Sequence, residues 1–179
     1  INAISSKTGV TARDTGNDTT GVELTAADGR NINVSTDSLT SAATGVTLSA
    51  AAGGTTNYGS YSLSSSKDIV IQRGSTTGLE ANAGLQAGTY ETQVASISTT
   101  TNSGAAFVAG DFKINGVLVG ASLAASDTAS TSGNTSSAIA KVAAINAVAE
   151  QSGVTAKVNT TVVNGTAMTA AAQTGAIVI

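Results

Sequence analysis

The chain of 179 residues contains no cysteine, histidine, proline or tryptophan. Without cysteine it cannot form disulfide bonds or thiolate metal sites. Without histidine it lacks the most common general base and the most common transition-metal ligand. We therefore expect no catalytic residues, no metal site and no cofactor, and we do not expect an enzyme.

Aromatic residues are also scarce, at 3% of the chain, whereas hydrophobic residues make up 41%. The core must therefore be built mainly from Val, Ile, Leu and Ala. Sugar-binding surfaces commonly use exposed aromatic side chains that combine an apolar body with a polar group. The sequence offers only Tyr58, Tyr61 and Tyr90 for such a role.

Charged residues make up 11% of the chain and the net charge is −3, compared with about 25% charged residues in an ordinary soluble domain. No cluster of Lys and Arg occurs, which argues against binding to nucleic acid or to anionic lipid. No apolar run reaches the length of about 18 residues that a membrane span needs. The chain begins with Ile and shows no signal-peptide pattern, so we expect it to be a part of a longer protein.

The most informative feature that is present is a repeat. Residues 1–13 read INAISSKTGVTAR and residues 145–157 read INAVAEQSGVTAK. The two segments align without a gap. Such internal similarity indicates that the chain is built from copies of one structural unit, a pattern typical of proteins that form surfaces and assemblies.

Hydrophobic patterns and turn residues predict short strands and one long helix. Asn115-Gly116 predicts a two-residue hairpin turn, and Asp28-Gly29 and Asn164-Gly165 predict two more. The helix is predicted over 135–151, with Asn134 or Thr135 as its N-cap. Its apolar stripe is Ala138, Val142, Ile145 and Ala149, with Ala140, Ala144 and Ala147 on the far side. The predicted strands are 10–14, 22–25, 31–35, 46–49, 58–63, 68–72, 89–98, 112–114, 117–119, 154–158, 161–163, 166–169 and 176–179.

These elements predict an α+β fold that is mostly antiparallel β, with small sheets that each pack one helix. A boundary is predicted in the Ser/Thr/Asn run at 99–104, which gives two modules, 1–105 and 106–179. Module 106–179 follows the order β-β-α-β-β-β and is a complete repeat unit. Module 1–105 begins in the middle of a repeat. Segments 74–88 and 121–133 are predicted as loops, the second on the surface.

Several ordered motifs resemble those of one protein family. The sequences FKINGV at 112–117, AINA at 144–147 and GVTA at 153–156 together resemble the "IN" repeat of bacterial flagellins and flagellar hook-associated proteins. Residues 106–179 carry a whole copy, and residues 1–35 carry the second half of another. The segment GLEANAGL at 78–85 is also similar to flagellins.

The resemblance implies a filament subunit whose variable middle segment projects outward. The long terminal helices that assemble a flagellin filament are missing from these residues. We therefore expect the extracellular, surface-exposed outer domain of a flagellin, with a structural role in motility and surface antigenicity. The implied partners are other flagellin subunits, which would bind through terminal regions outside this chain, with weak lateral contacts between outer domains as a further expectation.

The resemblance also implies sites of modification, since flagellins of this kind often carry O-linked sugars on exposed Ser or Thr. The candidate stretches are 64–66, 75–77, 99–103 and 126–137. Asn-x-Ser/Thr occurs by chance in a chain with more than a quarter Ser and Thr, here at Asn17, Asn33, Asn134, Asn159 and Asn164.

Acidic residues offer weaker candidates. Asp14 and Asp18 lie in a glycine-containing loop, but the oxygen-ligand spacing of a calcium site is missing, so a solvated loop is favoured over a weak cation site. Asp111 and Glu91 could suggest acid–base partners, but they form no set with a nucleophile. Asn115 is interpreted as a turn residue, and Asn146 as a side chain that bonds to neighbouring backbone.

Two alternatives to a flagellin remain open at this point. A hook-associated or filament-cap protein would share the repeat, and terminal helices in the complete sequence would distinguish it. A secreted adhesin or glycan-binding module would show saturable binding to a polysaccharide, and the scarcity of aromatic residues counts against it.

Overall fold

The computed structural model describes residues 1–36, 38–48, 54–74, 80–91, 97–98, 104–169 and 177–179. Strands account for 29% and helices for 23% of the described residues, and every strand pairing within these ranges is antiparallel. The prediction of an α+β fold made mostly of small antiparallel sheets is confirmed.

The elements are short throughout. The helices are α1 (Ser5–Thr8), α2 (Ser41–Thr44), α3 (Ala138–Asn146) and α4 (Ala149–Ser152), and 3-10 turns cover Asn2–Ile4, Glu80–Ala83, Ala124–Ser126 and Asn134–Ser136. The strands are β1 (Thr11–Asp14), β2 (Val22–Ala26), β3 (Ile32–Thr36), β4 (Thr55–Asn57), β5 (Tyr61–Ser64), β6 (Ile69–Arg73), β7 (Gly88–Tyr90), β8 (Ile97–Ser98), β9 (Phe112–Ile114), β10 (Val117–Leu118), β11 (Thr155–Val158), β12 (Thr161–Val163) and β13 (Ile177–Val178).

The described strands form four small sheets, and each sheet contains strands from both sides of residue 105. Their orders are β1-β2-β12, β10-β9-β6-β7, β11-β5-β8 and β13-β3-β4. The repeat unit predicted over 106–179 keeps its order of elements, but its strands join all four sheets. The predicted boundary between 1–105 and 106–179 therefore marks a change in the sequence pattern and not a break in strand pairing.

The buried side chains form two hydrophobic cores, and these divide the chain at other points than the predicted boundary at residue 105. The terminal core comes from both ends of the chain and contains Val10, Leu24, Ala26, Ile32, Val34, Val46 and Val163. The central core contains Tyr61, Leu63, Ile69, Ile71, Ala83, Leu85, Phe107, Phe112, Ile114, Val119, Ala138, Ala144, Ile145, Val154 and Ala156. The central core is thus an insertion between two parts of the terminal one.

The chain passes between the two cores twice, at one place. On the way out it runs through Gly59 and Ser60, and it returns through Asn159. The Asn159 N–H donates to the Ser60 carbonyl at 2.9 Å, and the Asn159 amide donates to the Ser60 hydroxyl at 3.2 Å. The hydroxyl of Ser62 donates to Asn159 Oδ1 at 3.0 Å. Because these bonds hold the two crossing segments side by side, the insertion begins and ends at adjacent points.

The repeated sequence has a matching structure in its two copies. Asn2 Nδ2 donates to the Ala12 carbonyl at 2.9 Å, and the Ala12 N–H donates to Asn2 Oδ1 at 2.7 Å. Asn146 makes the same two bonds with Ala156, at 3.0 and 2.8 Å. We call this arrangement the backbone clamp. It confirms that Asn146 bonds to neighbouring backbone and explains why Asn and Ala recur ten residues apart.

A third copy occurs at residues 41–48, where the sequence analysis found none. Helix α2 ends at Gly45 with φ 67°, as α1 ends at Gly9 with φ 69° and α4 at Gly153 with φ 71°. The clamp is also present, but here Ser41 Oγ accepts from the Leu48 N–H at 2.9 Å and donates to its carbonyl at 3.4 Å. The sequence signal for this copy was Thr-Gly-Val-Thr at 44–47. It differs from the other two copies because no Asn lies seven residues before its glycine.

The hairpin at Asn115-Gly116 is confirmed, and the other two predicted hairpins are wrong. Asn115 has φ 49° and Gly116 φ 80°, and β9 pairs with β10 across them. Strands β2 and β3 flank Asp28-Gly29 but join different sheets. Residues 166–169, after Asn164-Gly165, form no strand. In both cases pairing with distant strands replaces the local hairpin.

Other predicted strands differ in their bounds. Residues 46–48 form no strand, and 49 lies outside the described residues. Of the strand predicted over 58–63, only 61–63 form a strand, as part of β5, and β4 lies before the predicted range. Strand 89–98 is described as β7 and β8 only, since 92–96 lie outside the described residues.

The long helix predicted over 135–151 is divided into a 3-10 turn, α3 and α4. Its N-cap is Ser137, whose hydroxyl accepts from the Ala140 N–H at 3.1 Å, so the prediction of Asn134 or Thr135 was wrong. Ala140 and Ala144 are buried and not on an outer face. Because α3 is covered on several sides, its small residues allow close packing against β11 and the turns before it.

Backbone segments of the terminal core meet closely at Gly21. Its φ is 56°, and a Cβ at this position would overlap the carbonyl oxygens of Gly45 and Thr166. The N–H groups of Val22 and Thr166 both donate to the Gly45 carbonyl, at 2.8 and 3.0 Å. Gly21 is therefore required both by its backbone angle and by the space available.

The clamp predicts that Asn146→Ala destabilises the protein, although the Asn146 side chain is exposed. The substitution removes two hydrogen bonds to Ala156 and leaves no cavity. We expect a loss of about 1–2 kcal/mol in the free energy of unfolding, measured by urea denaturation. Asn164→Ala is the matched control, because Asn164 is also exposed. The Thr47 hydroxyl donates to the main-chain carbonyl of Asn164 and not to its side-chain amide, so the substitution leaves this hydrogen bond in place. Equal effects of the two substitutions would contradict the role of the clamp.

A pair of glycine substitutions separates backbone strain from steric overlap. Gly16 has φ 70°, and a Cβ there would have no neighbour within 4 Å. Gly16→Ala should therefore cost about 1–2 kcal/mol from the left-handed backbone angle alone. Gly21→Ala should cost about 1–3 kcal/mol more because the methyl group overlaps two carbonyls. Thermal unfolding of both variants tests this difference. Similar melting temperatures would contradict it, because they would show that the backbone segments that meet at Gly21 can move apart without loss of stability.

Candidate functional site: exposed loops and a buried lysine cluster

The loop with Asp14 and Asp18 is an exposed turn held by its own hydrogen bonds. Asp14 Oδ1 accepts from the Gly16 N–H at 2.9 Å, and Asn17 Oδ1 accepts from the Thr19 N–H at 2.9 Å. Within the described part of the chain, no group of three or more Asp, Glu, His or Cys side chains is placed to hold a metal ion. The loop therefore presents a polar, solvent-exposed surface.

The five Asn-x-Ser/Thr positions differ in whether the asparagine is exposed or uses its side-chain amide nitrogen in a hydrogen bond within the fold. Asn17 and Asn164 are exposed. The other three use Nδ2 as a hydrogen-bond donor within the fold. Asn33 donates to Thr56 Oγ1 at 3.0 Å, Asn159 to Ser60 Oγ at 3.2 Å, and Asn134 to the Asp127 and Ser130 carbonyls at 2.8 Å each. Attachment of a sugar at these three would break a fold contact.

The hydroxyl-rich stretch 126–137 is partly buried, so the prediction of a surface loop over 121–133 is correct only in part. Asp127 and Ser130 are buried, whereas Ser126, Thr128, Thr131 and Thr135 are exposed. The Ser130 hydroxyl accepts from the Asn31 N–H at 2.9 Å and thereby joins the stretch to the terminal core. Desolvation opposes ionisation of Asp127, but hydrogen bonds from Ser137, Ser130 and Ala129 hold its pKa below the ordinary value.

The other stretches give fewer accessible hydroxyls. Ser64 and Ser66 are exposed, and Ser65 Oγ accepts from the Lys67 N–H at 3.1 Å. The stretches 75–77 and 99–103 lie outside the described residues.

The three tyrosines do not form a common surface. Tyr61 is completely buried, and its hydroxyl donates to the Ala83 carbonyl at 2.6 Å. The Tyr58 ring lies against Gly104 and Gly133. Tyr90 is half-buried, and its hydroxyl donates to the Gln86 carbonyl at 2.9 Å. Each ring therefore serves a different contact in the fold.

Sequence reasoning missed a buried lysine in the central core. Lys141 on α3 has a relative exposure of 0%. Its Nζ donates to the Asn82 carbonyl at 2.7 Å and lies 5.2 Å from the centre of the Phe107 ring. Burial lowers the pKa of the Lys141 ammonium to about 8. The signal in the sequence was its spacing, since Lys141 lies three residues after Ala138 and four before Ile145 and thus beside the apolar stripe.

Asp111 and Glu91, the two acidic residues considered as acid–base partners, have different environments. Glu91 is exposed. Asp111 is completely buried beside the lysine's contacts, and its Oδ2 accepts from the Val108 N–H at 2.8 Å and from Asn82 Nδ2 at 3.4 Å. The buried Asp111 and Lys141 and the half-buried Asn82 thus form a polar cluster, which we call the lysine cluster.

Aromatic rings and an ion pair lie close to the lysine cluster. The rings of Phe107 and Phe112 meet edge to face, with their centres 5.1 Å apart. Glu80, in the same turn as Asn82, is largely buried and accepts from Arg73 Nε at 2.8 Å. Burial in this core strengthens the polar contacts of Lys141 and disfavours its charge, whereas the Phe107 ring attracts the ammonium that lies over it.

Among the described residues, two shallow clefts are notable. The larger, of about 460 Å³, is lined by Arg13, Thr15, Thr20, Glu23, Asn164 and Gly165. The smaller, of about 260 Å³, lies at the crossing and is lined by Tyr58, Gly59, Ser60, Thr160, Thr161 and Val162. Both are lined mainly by hydroxyl, backbone and exposed ion-pair groups.

No helix among the described residues is long and apolar enough to cross a membrane. Comparison of the chain with protein-family models, with curated proteins and with solved structures finds no match.

Proposed function

We propose that the chain belongs to the surface-exposed outer region of a bacterial flagellin and has a structural, non-catalytic role in an extracellular filament. The observation that carries this proposal is the backbone clamp. The IN repeat that resembles flagellins supplies Asn2 and Asn146, and both make the same pair of bonds ten residues downstream. The repeated sequence thus corresponds to a repeated structural unit, as expected for a modular filament protein.

The nested cores are consistent with an outward projection. An insertion whose ends are adjacent can be carried by a base without changing the fold of that base. Residues 61–158 leave the terminal core at Ser60 and return at Asn159, where the two residues are hydrogen-bonded. In this proposal the terminal core lies closer to the filament axis and the central core lies farther out.

The surface fits weak contact with neighbouring outer domains. Apolar side chains exposed by about half include Val108, Leu118 and Leu123 in the central part of the chain. They are few and belong to a chain of low charge, which favours weak lateral association over a permanent interface.

Electron microscopy of filaments tests the projection. In the full-length protein, residues 61–158 would be deleted and Ser60 joined to Asn159 through an Asn-Gly turn. We expect filaments that assemble and are thinner than those of the unmodified protein. Filaments of unchanged diameter would contradict the proposal. Asn164→Ala, a single exposed substitution, is the control and should leave the diameter unchanged.

The proposal also predicts where O-linked sugars are attached. In protein isolated from its natural source, we expect sugars on the exposed hydroxyls of Thr128, Thr131 or Thr135. Ser130 and Ser137 should be unmodified because they are buried and hydrogen-bonded. Mass spectrometry of glycopeptides with electron-based fragmentation locates the sugars, and a sugar on Ser137 would contradict this assignment.

A further inference from the structure

The lysine cluster brings the amine of Lys141 to the main chain of Asn82, whose own side chain carries an amide. Lys141 lies on α3, and Asn82 lies in the turn Glu80–Ala83, which is 59 residues earlier in the chain. The Lys141 Nζ is 2.7 Å from the main-chain oxygen of Asn82. The side-chain carbon Cγ of Asn82 is three bonds from that carbonyl carbon, so rotation about the Cα–Cβ bond of Asn82 moves it relative to the amine.

Burial raises the uncharged fraction of Lys141 near neutral pH, and the uncharged amine is the nucleophilic form of lysine. The side chain is completely buried, and the Phe107 ring covers it at 5.2 Å. Burial lowers its pKa to about 8, whereas an exposed lysine has a value near 10.5. A desolvated lysine next to an apolar ring is an activated nucleophile.

A proton-transfer group contacts the nitrogen of the Asn82 side-chain amide. Asp111 is completely buried, and its Oδ2 accepts a hydrogen bond of 3.4 Å from Asn82 Nδ2. The Val108 N–H donates a hydrogen bond of 2.8 Å to the same Asp111 oxygen and so fixes its position. The carboxylate is therefore placed at the nitrogen that would have to leave if the amide carbon were attacked.

We propose that Lys141 and Asn82 are joined by an intramolecular amide bond that the folded protein forms by itself. Lys141 Nζ attacks Cγ of Asn82, and a new C–N bond forms. Asp111 takes a proton from the attacking nitrogen and gives it to Nδ2, so that the old C–N bond breaks and ammonia leaves. One amide is exchanged for another, and the step requires no oxidant, reductant or external reactant.

Such a bond would give a cysteine-free chain a covalent link within its core. It would connect α3 with the turn Glu80–Ala83 and thus close about one third of the chain, from 82 to 141, into a ring. Chain closure restricts the unfolded state and so favours the folded one. The inference does not depend on the flagellin proposal, since it concerns side chains inside the fold.

Intact mass measurement of the purified chain is the primary test. We expect the mass of the folded protein to be lower than the sequence mass by one ammonia. A proteolytic digest should contain one branched peptide in which the segments around 82 and 141 are joined. Because Asn115-Gly116 and Asn164-Gly165 can also lose ammonia by cyclisation to a succinimide, the digest is repeated after mild alkali, which opens a succinimide and leaves the amide intact.

Substitutions show which residues take part. Lys141→Arg keeps a buried cation but removes the attacking amine, and it should restore the full sequence mass. Lys113→Arg on β9 is the matched control and should retain the loss of ammonia. Asp111→Asn leaves both reacting side chains in place and should slow or abolish the bond. Circular dichroism of each variant confirms folding before its mass is interpreted.

The results that would overturn the proposal are distinct. An intact mass equal to the sequence mass in the folded, unsubstituted protein would refute it without reference to any variant. A branched peptide that joins Lys141 to Asp111 with loss of water would refute Asn82 as the acceptor. Loss of ammonia that persists in Lys141→Arg would assign the change to a succinimide.

Discussion

The pairing of β5 with β11 is the constraint on which the rest of the structure depends. It places Tyr61 opposite Val158 and Ser64 opposite Thr155, so that a long segment leaves and returns at one ladder. The entropy cost of closing a loop rises slowly with its length. Once this ladder forms, the segment between can build its own core, and helix α3, the INGV hairpin and the lysine cluster all lie within it.

The second constraint is the satisfaction of backbone groups in a chain of very short elements. Short helices and strands leave many N–H and C=O groups at their ends without regular partners. The backbone clamp supplies partners for both groups of one residue beyond each glycine-terminated helix. Two copies use Asn and one uses Ser41, so the requirement is a side chain that can both donate to and accept from the third residue after the glycine.

The sequence predicted local features better than long-range ones. The INGV hairpin followed from Asn115-Gly116, and the Asn146 contact followed from its position on the helix, because both depend on nearby residues. The hairpin at Asp28-Gly29 was wrong because β2 pairs with β1 and β12 instead, and local turn chemistry does not determine which distant strand competes. The site was missed for the same reason. Lys141, Asn82 and Asp111 come from separate segments, and only the tertiary fold brings them together.

The two cores reach close packing in different ways, and this explains why the lysine cluster lies where it does. Both phenylalanines of the chain are in the central core, and the terminal core consists of aliphatic side chains. The terminal core therefore relies on direct approach of backbones, as at Gly21 and Gly45.

The central core has large rings whose irregular packing leaves room for a long side chain. A lysine stem of four methylene groups fills that room as a hydrophobic residue would, and its terminal nitrogen must then find a partner inside. The main-chain carbonyl of Asn82 satisfies that requirement, so packing places the amine beside Asn82, and the exclusion of water by the same packing lowers the pKa of the amine.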